Sequence, residues 1–254
     1  MTDDQQWRGK IASRLGWVVG GAALFYAGYA SMAPRSQLYG RTFVSAPSGS
    51  RRIALTFDDG PNDPYTLRLL EVLARHEVKA TFFMIGRFVA ERPEIAREVA
   101  AGGHVISNHT FNHPNLIFCS PARVRDELEQ CRKALSDAVG EHSNLFRPPY
   151  GGRLPHVLRT ARGLGMEPVM WSVSSRDWRL PSAEAIAQQV ARNLRGGDVV
   201  LMHDGAPHGI GADRAKSVEA ADRIIRRYKD EGFEFATIPE LVNTVASLQS
   251  SVAS

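Results

Sequence analysis

Ile53-Ala54-Leu55-Thr56-Phe57-Asp58-Asp59-Gly60-Pro61-Asn62 is the stretch on which the fold turns. Ile53 to Phe57 show no polar alternation, the pattern of a strand buried on both faces, as in a parallel sheet. Asp-Gly-Pro then stops the strand. Two adjacent carboxylates directly after a buried strand repel each other, and turn chemistry accounts for only one of them. A cation that neutralises one carboxylate and leaves the other free as a base would account for both.

Working outward, strand-like runs alternate with helical spacing. Tyr65 to Arg75 reads as a helix, Ala80 to Ile85 as a strand, Pro93 to Ala101 as a helix opened by its proline, and His104 to Ile106 as a third strand. A helix from Pro121 to about Val139 follows, with Ser120 as its cap. Then come a strand near Leu145-Phe146, a helix from Leu154 to Arg162 and a strand from Pro168 to Trp171. Ser182 to Leu194 reads as a helix, Asp198 to Met202 as a strand, and about Ala212 to Glu231 as a helix. A strand from Phe233 to Ala236 and a helix from Pro239 to Leu248 complete the series. Such alternation implies one α/β domain with a parallel sheet, closed as a barrel or open.

The 254 residues suffice for one substantial core. With 43% hydrophobic and 23% charged residues the composition is globular rather than disordered. A formal charge of +4 suits work beside anionic polymers, but the Lys and Arg residues are scattered and form no nucleic-acid-reading patch. The two cysteines, Cys119 and Cys131, read as unpaired. A helix from Pro121 would hold them roughly 15 Å apart at ~1.5 Å per residue, whereas a disulfide needs Cα atoms within about 7 Å.

Leu15 to Pro34 form an uncharged, largely apolar window. Three readings stay open: an uncleaved membrane anchor, a signal peptide cleaved near Gly28-Tyr29-Ala30 or Ser31-Met32-Ala33, or a buried helix of the domain. Basic residues flank it on both sides, so orientation is weakly set. Residues 1–34 are therefore expected as an anchor or signal segment, 35–51 as a linker of Ser, Pro, Gly and Arg, and 52–248 as the domain.

His109-Thr110-Phe111-Asn112-His113 places two histidines four apart, on one face of a helical turn, so both imidazoles can meet one cation. Solvated or capping histidines are the plainer alternative. A carboxylate from Asp59 would complete a His-His-Asp set with open positions for water and substrate. In Arg147-Pro148-Pro149-Tyr150-Gly151-Gly152 two prolines stiffen the backbone and remove two donors, so the next free amides can be aimed at a fixed point. The same run also reads as a structural loop. Asp177-Trp178 reads as a functional pair or as a loop carboxylate beside a packed indole. Val199-Val200-Leu201-Met202-His203 puts a histidine at the end of a strand apolar on both faces, where a structural histidine is the alternative. All five signals fall at strand ends, where α/β barrels place their active sites.

In this order, TFDDG, HTFNH, RPPYG, the Asp-Trp pair and LMHD resemble the five motifs of the polysaccharide deacetylase family, the NodB-homology domain of carbohydrate esterase family 4. The likeness spans roughly residues 52–248. It implies a distorted (β/α) barrel, here preceded by an N-terminal hydrophobic helix. It also implies a hydrolase that removes acetyl groups from N-acetylated sugars of a cell-wall or chitin-like glycan, such as peptidoglycan or an N-acetylglucosamine polymer. A divalent metal, usually zinc, is implied on Asp59, His109 and His113. Asp58 is implied as general base, Arg147 as the group that holds it, and Tyr150 as an oxyanion donor through its backbone N–H. His203 is implied as the acid that protonates the departing amine, oriented by Asp177, which raises its pKa. Trp178 and Leu201 are implied as walls of a small apolar pocket for the acetyl methyl.

One departure stands out: many relatives carry an aspartate three residues before the Asp-Trp pair, where this chain has Ser174. That bears on the detail of the loop rather than on activity. His208 reads as an exposed loop residue, and His76, His104, His142 and His156 as surface or core residues. A deacylase of a lipid-linked sugar or an O-acetyl glycan esterase on the same fold stays open as an alternative, as does a glycan-binding scaffold on a dead hydrolase fold. The expected setting is the cell envelope, membrane-anchored with the catalytic domain outside, or secreted after signal cleavage. The expected partners are a glycan and, through the N-terminal segment, a membrane, with no nucleic acid and a monomeric state.

Overall fold

The computed structural model describes residues 20–21, 25–47 and 49–243, and all that follows concerns those residues. Strand β1 (Arg52–Asp58) runs through the middle of a parallel sheet. Its alternate side chains part to opposite faces. Ile53, Leu55 and Phe57 join the large apolar cluster beneath the helices, while Ala54 joins a second cluster inside the curl of the sheet. Both faces are thus covered, which is why the strand reads as one apolar run.

After β1 come α1 (Tyr65–Arg75), β2 (Thr81–Met84), α2 (Gly86–Glu91), α3 (Pro93–Ala101), β3 (Val105–Asn108), α4 (Pro121–Val139), β4 (Leu145–Phe146) and α5 (Pro155–Gly163). β5 (Glu167–Pro168), β6 (Val173–Ser174), α6 (Ala183–Asn193), β7 (Val199–His203), α7 (Ala215–Asp230) and β8 (Glu234–Phe235) follow. The strand order is β5-β4-β3-β2-β1-β7-β6, with β8 beside the start of β1, and the paired strands are parallel. The sheet curls into a half-barrel with helices around it. Parallel pairing brings strand ends to one rim: Asp58 stands in register with Phe83 and with His203, and Met84 with Asn108.

The expected helix starts at Ser120 and Ser182 are present, each serine oxygen accepting a backbone N–H two or three residues into its helix, Arg123 at 3.3 Å and Ala185 at 3.2 Å. Three local expectations differ. Of the strand expected from Pro168 to Trp171 only Pro168 lies in the ladder with β4; Val169 and Met170 continue against Phe43 instead, and the chain rejoins the sheet on its other side as β6. α2 was not anticipated, being a six-residue turn directly before Pro93. α7 starts at Ala215 rather than Ala212, because the Ala212 carbonyl accepts from Asn62 Nδ2 at 2.9 Å and is held in the preceding loop.

Within the stretch expected as a linker, residues 43–46 lie between the chain after β5 and the chain before β7. Phe43 donates its N–H to the Pro168 carbonyl at 3.0 Å and accepts from Met170 N at 2.7 Å. Ser45 bridges to Asp198, and Ala46, buried in the inner cluster, donates to the Gly197 carbonyl at 2.8 Å. Upstream, residues 25–32 are helical with Ala30 and Ser31 buried. Among the described residues no helix is long and apolar enough to cross a membrane, and most of the hydrophobic window expected over residues 15–34 before Phe25 lies outside them. The last helix is described to residue 243, so its expected end at Leu248 also lies outside. Cys119 and Cys131 are both free thiols.

Candidate active site

At the rim, β1 ends in Asp58, and Asp59 takes the left-handed conformation (φ 74°), so the strand's alternation breaks and both carboxylates border one cavity. Five of the six non-glycine residues with positive φ belong to this region: Asp59, Thr110, His113, Tyr150 and Arg176. Each such residue costs on the order of 1–3 kcal/mol and persists only where its surroundings over-determine it. The close packing of loops supplies part of that constraint. A Cβ at Gly60 would lie 2.2 Å from Asp204 Oδ2, and one at Gly205 2.1 Å from the Asp59 carbonyl, so only glycine lets the loops after β1 and β7 meet.

Asp58 Oδ1 accepts from Arg147 Nη1 at 2.7 Å. The same nitrogen reaches Thr56 Oγ1 at 2.8 Å, and Nη2 donates to the Met170 carbonyl at 3.0 Å. Arg147 is fully buried inside the curl, with its guanidinium 4.0 Å from the Phe83 ring centroid. Burial pulls its pKa down and the Asp58 charge pulls back against it. This is a charge pair whose partners are fixed, not a surface bridge.

His109 Nδ1 lies 2.8 Å from the Arg147 carbonyl. A carbonyl can only accept, so the proton is on Nδ1 and the Nε2 lone pair is free. That Nε2 is 3.5 Å from Asp59 Oδ1, and His113 Nε2 is 3.1 Å from the same oxygen. Asp59 Oδ1 is buried without a hydrogen bond of good geometry. The three ligand atoms lie within 4.8 Å of one another, all on buried residues. One carboxylate oxygen and two imidazole nitrogens that converge within 4.8 Å are a donor set that suits a divalent ion of the zinc type. Burial acts to raise the Asp59 pKa, but His109, His113 and the charge of His203 outweigh it and hold the carboxyl well below its ordinary value. His113 is pulled down by burial, which favours the neutral, ligating form.

The two histidines do not share a helical turn, as their spacing suggested. Residues 109–113 form a loop that reverses through left-handed Thr110 and His113. Glu127 of α4, fully buried, holds it: Oε2 accepts from the N–H groups of Phe111 and Asn112 at 3.0 and 2.7 Å, and Oε1 accepts from Asn112 Nδ2 at 3.0 Å. His113 Nδ1 is buried without a partner, and its ring packs edge-on against Tyr150, centroids 4.7 Å apart.

Opposite the metal-type cluster, Asp177 Oδ1 accepts from His203 Nδ1 at 2.8 Å. Its Oδ2 accepts from the His203 backbone N–H at 2.7 Å and from Ser217 Oγ at 2.9 Å. Burial acts to lower the His203 pKa, but the Asp177 charge and hydrogen bond, with Asp59 and Asp58 behind them, raise it to about 9. Burial acts to raise Asp177, and His203 reverses this and holds it low. Trp178, half-exposed, stands edge-on to His203 with ring centroids 5.1 Å apart.

The cavity of about 430 Å³ at this rim is bordered by Asp58, Asp59, His109, His113, Tyr150, Trp178, Leu201 and His203, with Arg147 and Asp177 directly behind. All ten residues singled out from the sequence therefore meet at one place. Trp171, His208 and Arg214 also line the cavity and were not foreseen there. Nor were the supports Glu127, Ser217 and Asn62, the last tying the loops after β1 and β7 through the Asp204 carbonyl at 2.8 Å. His76 pairs with Asp222, and half-buried His104 is lowered to about 4 by desolvation, away from the cavity.

Residues 45–169 match the family model for polysaccharide deacetylases. A chitooligosaccharide deacetylase from Bradyrhizobium sp. (strain ANU 289) is 41% identical over 201 residues, 76% of this chain and 92% of the relative. The crystal structure of the Bc1960 peptidoglycan N-acetylglucosamine deacetylase superposes with a TM-score of 0.74 at 36% identity, covering 79% of this chain and 92% of that one. BA3943 from Bacillus anthracis, described as a CE4 family pseudoenzyme, superposes with a TM-score of 0.73 at 29% identity over 79% of this chain and 68% of its own.

Proposed function

Because this chain belongs to the polysaccharide deacetylase family and is a hydrolase of that family, we propose that its rim cavity releases acetate from N-acetylated hexosamine residues of a glycan polymer, with zinc held by Asp59, His109 and His113. The observation that carries this reading is the joint presence of a buried, converging Asp-His-His cluster, an Arg-held carboxylate and an Asp-held histidine around one cavity. A relative with this fold is described as a pseudoenzyme, so fold alone does not carry the reading.

Zinc in that cluster supplies Lewis-acid polarisation of the acetamide carbonyl and acidification of water. Asp58, its geometry fixed by Arg147 and Thr56, takes the proton of the attacking water. As the carbonyl carbon becomes tetrahedral, the Tyr150 backbone N–H donates to the developing oxyanion. His203, protonated at neutral pH with Asp177 behind it, gives its proton to the departing nitrogen, so the C–N bond breaks to leave a neutral amine. Leu201 and Trp178 enclose the acetyl methyl. Names of relatives support both chitooligosaccharide and peptidoglycan as the substrate class. A mass-spectrometric screen for loss of acetyl from both, with Asp58→Asn as control, tests the reading. Acetyl loss by the wild type alone supports it; none from any acetylated glycan, by folded zinc-loaded protein, defeats it.

The uncharged window over residues 15–34 supports placement at the cell envelope, as an anchor or export signal. Fractionation of cells that express the full chain distinguishes a membrane-bound from a released form.

A further inference from the structure

Arg153 stands directly after the loop from Arg147 to Gly152 and is fully buried. Among the described residues its partners are carbonyls alone, with no carboxylate to offset the charge. Nη1 donates to the Gly151 carbonyl at 3.0 Å. Nη2 donates to the carbonyls of Ala33 and Ser36 at 2.6 and 2.7 Å and, at 3.4 Å, to that of Pro34. The Arg153 backbone N–H donates to the Ser31 carbonyl at 2.9 Å. Burial pulls the side-chain pKa down to about 10, so the group stays charged at neutral pH. A buried cation is costly unless its donors are filled, and the planar fork of an arginine fills them on two separate segments at once.

The loop that the fork reaches is strained. Tyr150 (φ 59°) and Gly151 (φ 71°) are consecutive left-handed residues, and only the second is a glycine. Gly151 and Gly152 donate to the Pro148 and Pro149 carbonyls, both at 2.9 Å, which closes the turn from within. Support from outside comes from two other segments. A Cβ at Gly152 would stand 2.5 Å from Asn115 Oδ1, and one at Gly151 3.5 Å from the Met32 carbonyl. The segment that holds Met32, residues 31–36, is fixed in turn where Arg35 Nη2 donates to the Ser172 carbonyl at 3.2 Å. These residues end the uncharged window or follow it. They stay on the chain whether the window is kept as an anchor or cut after Ala30.

We propose that residues 31–36 are a strap that keeps the oxyanion loop in shape, and that Arg153 is the positioning residue through which they act; the inference rests on the deacetylase reading above. The Arg153 fork fixes the Gly151 carbonyl, and with it the peptide plane that follows the left-handed pair. The carbonyls of Ala33 and Ser36 are the fixed points to which the fork is tied. Without either half of this link, Tyr150 relaxes towards right-handed backbone, and its N–H turns away from the point where the oxyanion forms. A misplacement on the order of 1 Å costs about 100-fold in rate. Asp59, His109 and His113 stand on other loops, so the loss falls on kcat rather than on zinc binding.

The test uses the full zinc-loaded chain and three variants of it. Arg153→Met keeps the bulk and removes the donors, and Arg153→Lys keeps the charge without the fork. Insertion of a Gly-Gly pair between Pro34 and Arg35 moves Ala33 and Ser36 out of step while Arg153 stays. Rates are read on a soluble N-acetylglucosamine oligomer, and amide hydrogen exchange over residues 150–153 is read by mass spectrometry, with a melting curve as the check on folding. Arg153→Met and the insertion should each lower kcat about 10–100-fold, leave KM and zinc affinity unchanged, and speed exchange over residues 150–153. Arg153→Lys should recover part of the loss. Combined, the two changes should cost no more than either alone, because both break one link. If Arg153→Met does not fold, the insertion decides by itself. Unchanged kcat and exchange overturn the strap and leave the deacetylase reading standing. Losses that add, a change confined to KM, or zinc affinity that falls in step with kcat also overturn it, as does full activity of a mature form that begins at Pro34. Absence of acetate release even from the wild type, with exchange still faster in both variants, supports the strap and overturns the deacetylase reading.

Discussion

Replacing Asp177 by Asn keeps the shape of the side chain and removes its charge. In the wild type, Asp177 receives three donors: the His203 ring, the His203 backbone N–H and Ser217. An amide has one acceptor oxygen. If that oxygen keeps the backbone N–H and Ser217, the NH2 group faces His203 Nδ1 and stabilises the neutral ring. Burial, which acts to lower the His203 pKa, is then opposed only by Asp59 and Asp58, farther away. The His203 pKa is expected to drop from about 9 to below its ordinary 6.5, a change in relative protonation energy of at least ~3.4 kcal/mol at 1.36 kcal/mol per pH unit. At pH 8 the protonated fraction, and with it kcat, should fall about 30-fold or more, while the loss should shrink towards pH 5.5. The assay is a pH–rate profile on a soluble N-acetylglucosamine oligomer, with an NMR titration of the His203 ring beside it. The sign also fixes a stability effect. A raised folded-state pKa contributes stability fully present below 6.5 and lost as pH rises through about 9. The wild type should therefore lose melting temperature across that window more steeply than Asp177→Asn. An alkaline limb that stays in place, or moves upward, would refute the assignment of His203 as the acid held protonated by Asp177.

Other perturbations have equally definite outcomes. Glu127→Ala leaves the N–H groups of Phe111 and Asn112 without their acceptor, and should weaken zinc affinity about 10–100-fold in a chelator competition titration; unchanged affinity would mean the 109–113 loop does not depend on it. Arg147→Met strands Asp58 as a buried charge and should cost about 3–5 kcal/mol in denaturant unfolding; a cost under about 1 kcal/mol would show that Asp58 is solvated in solution. Gly60→Ala drives a methyl into Asp204 and displaces Asp59, so a circular-dichroism melt and zinc titration should both show loss, and a neutral result would contradict the packing of the two loops.

Much of the catalytic rim was legible because its signals are local. β1 and β7 are apolar on both faces and end at Asp58 and His203, and parallel register alone sets those two ends side by side. The histidine pair was read with the right partner and the wrong backbone. Spacing of four fits a helical turn, but Glu127, fourteen residues beyond His113, bends the segment into a left-handed loop, and no periodicity links the two. Residues 35–51 read as a linker because Ser, Pro, Gly and Arg are turn formers. Their attachment runs through the backbone of Phe43 and Ala46, which leaves no side-chain signature. Trp171 read as the end of a strand, and its place on the cavity wall depends on the chain leaving the ladder with β4 after Pro168.

The most direct measurement is acetate release from a panel of N-acetylated glycans by chelator-stripped protein titrated with zinc, alongside Asp58→Asn and His113→Ala. Release should rise to a plateau at one zinc per chain and be absent from Asp58→Asn although that variant binds the ion. His113→Ala should need a large excess of zinc or fail altogether. Release that is indifferent to zinc, or none from any acetylated glycan at full zinc occupancy, would contradict a metal-dependent deacetylase built on Asp59, His109 and His113.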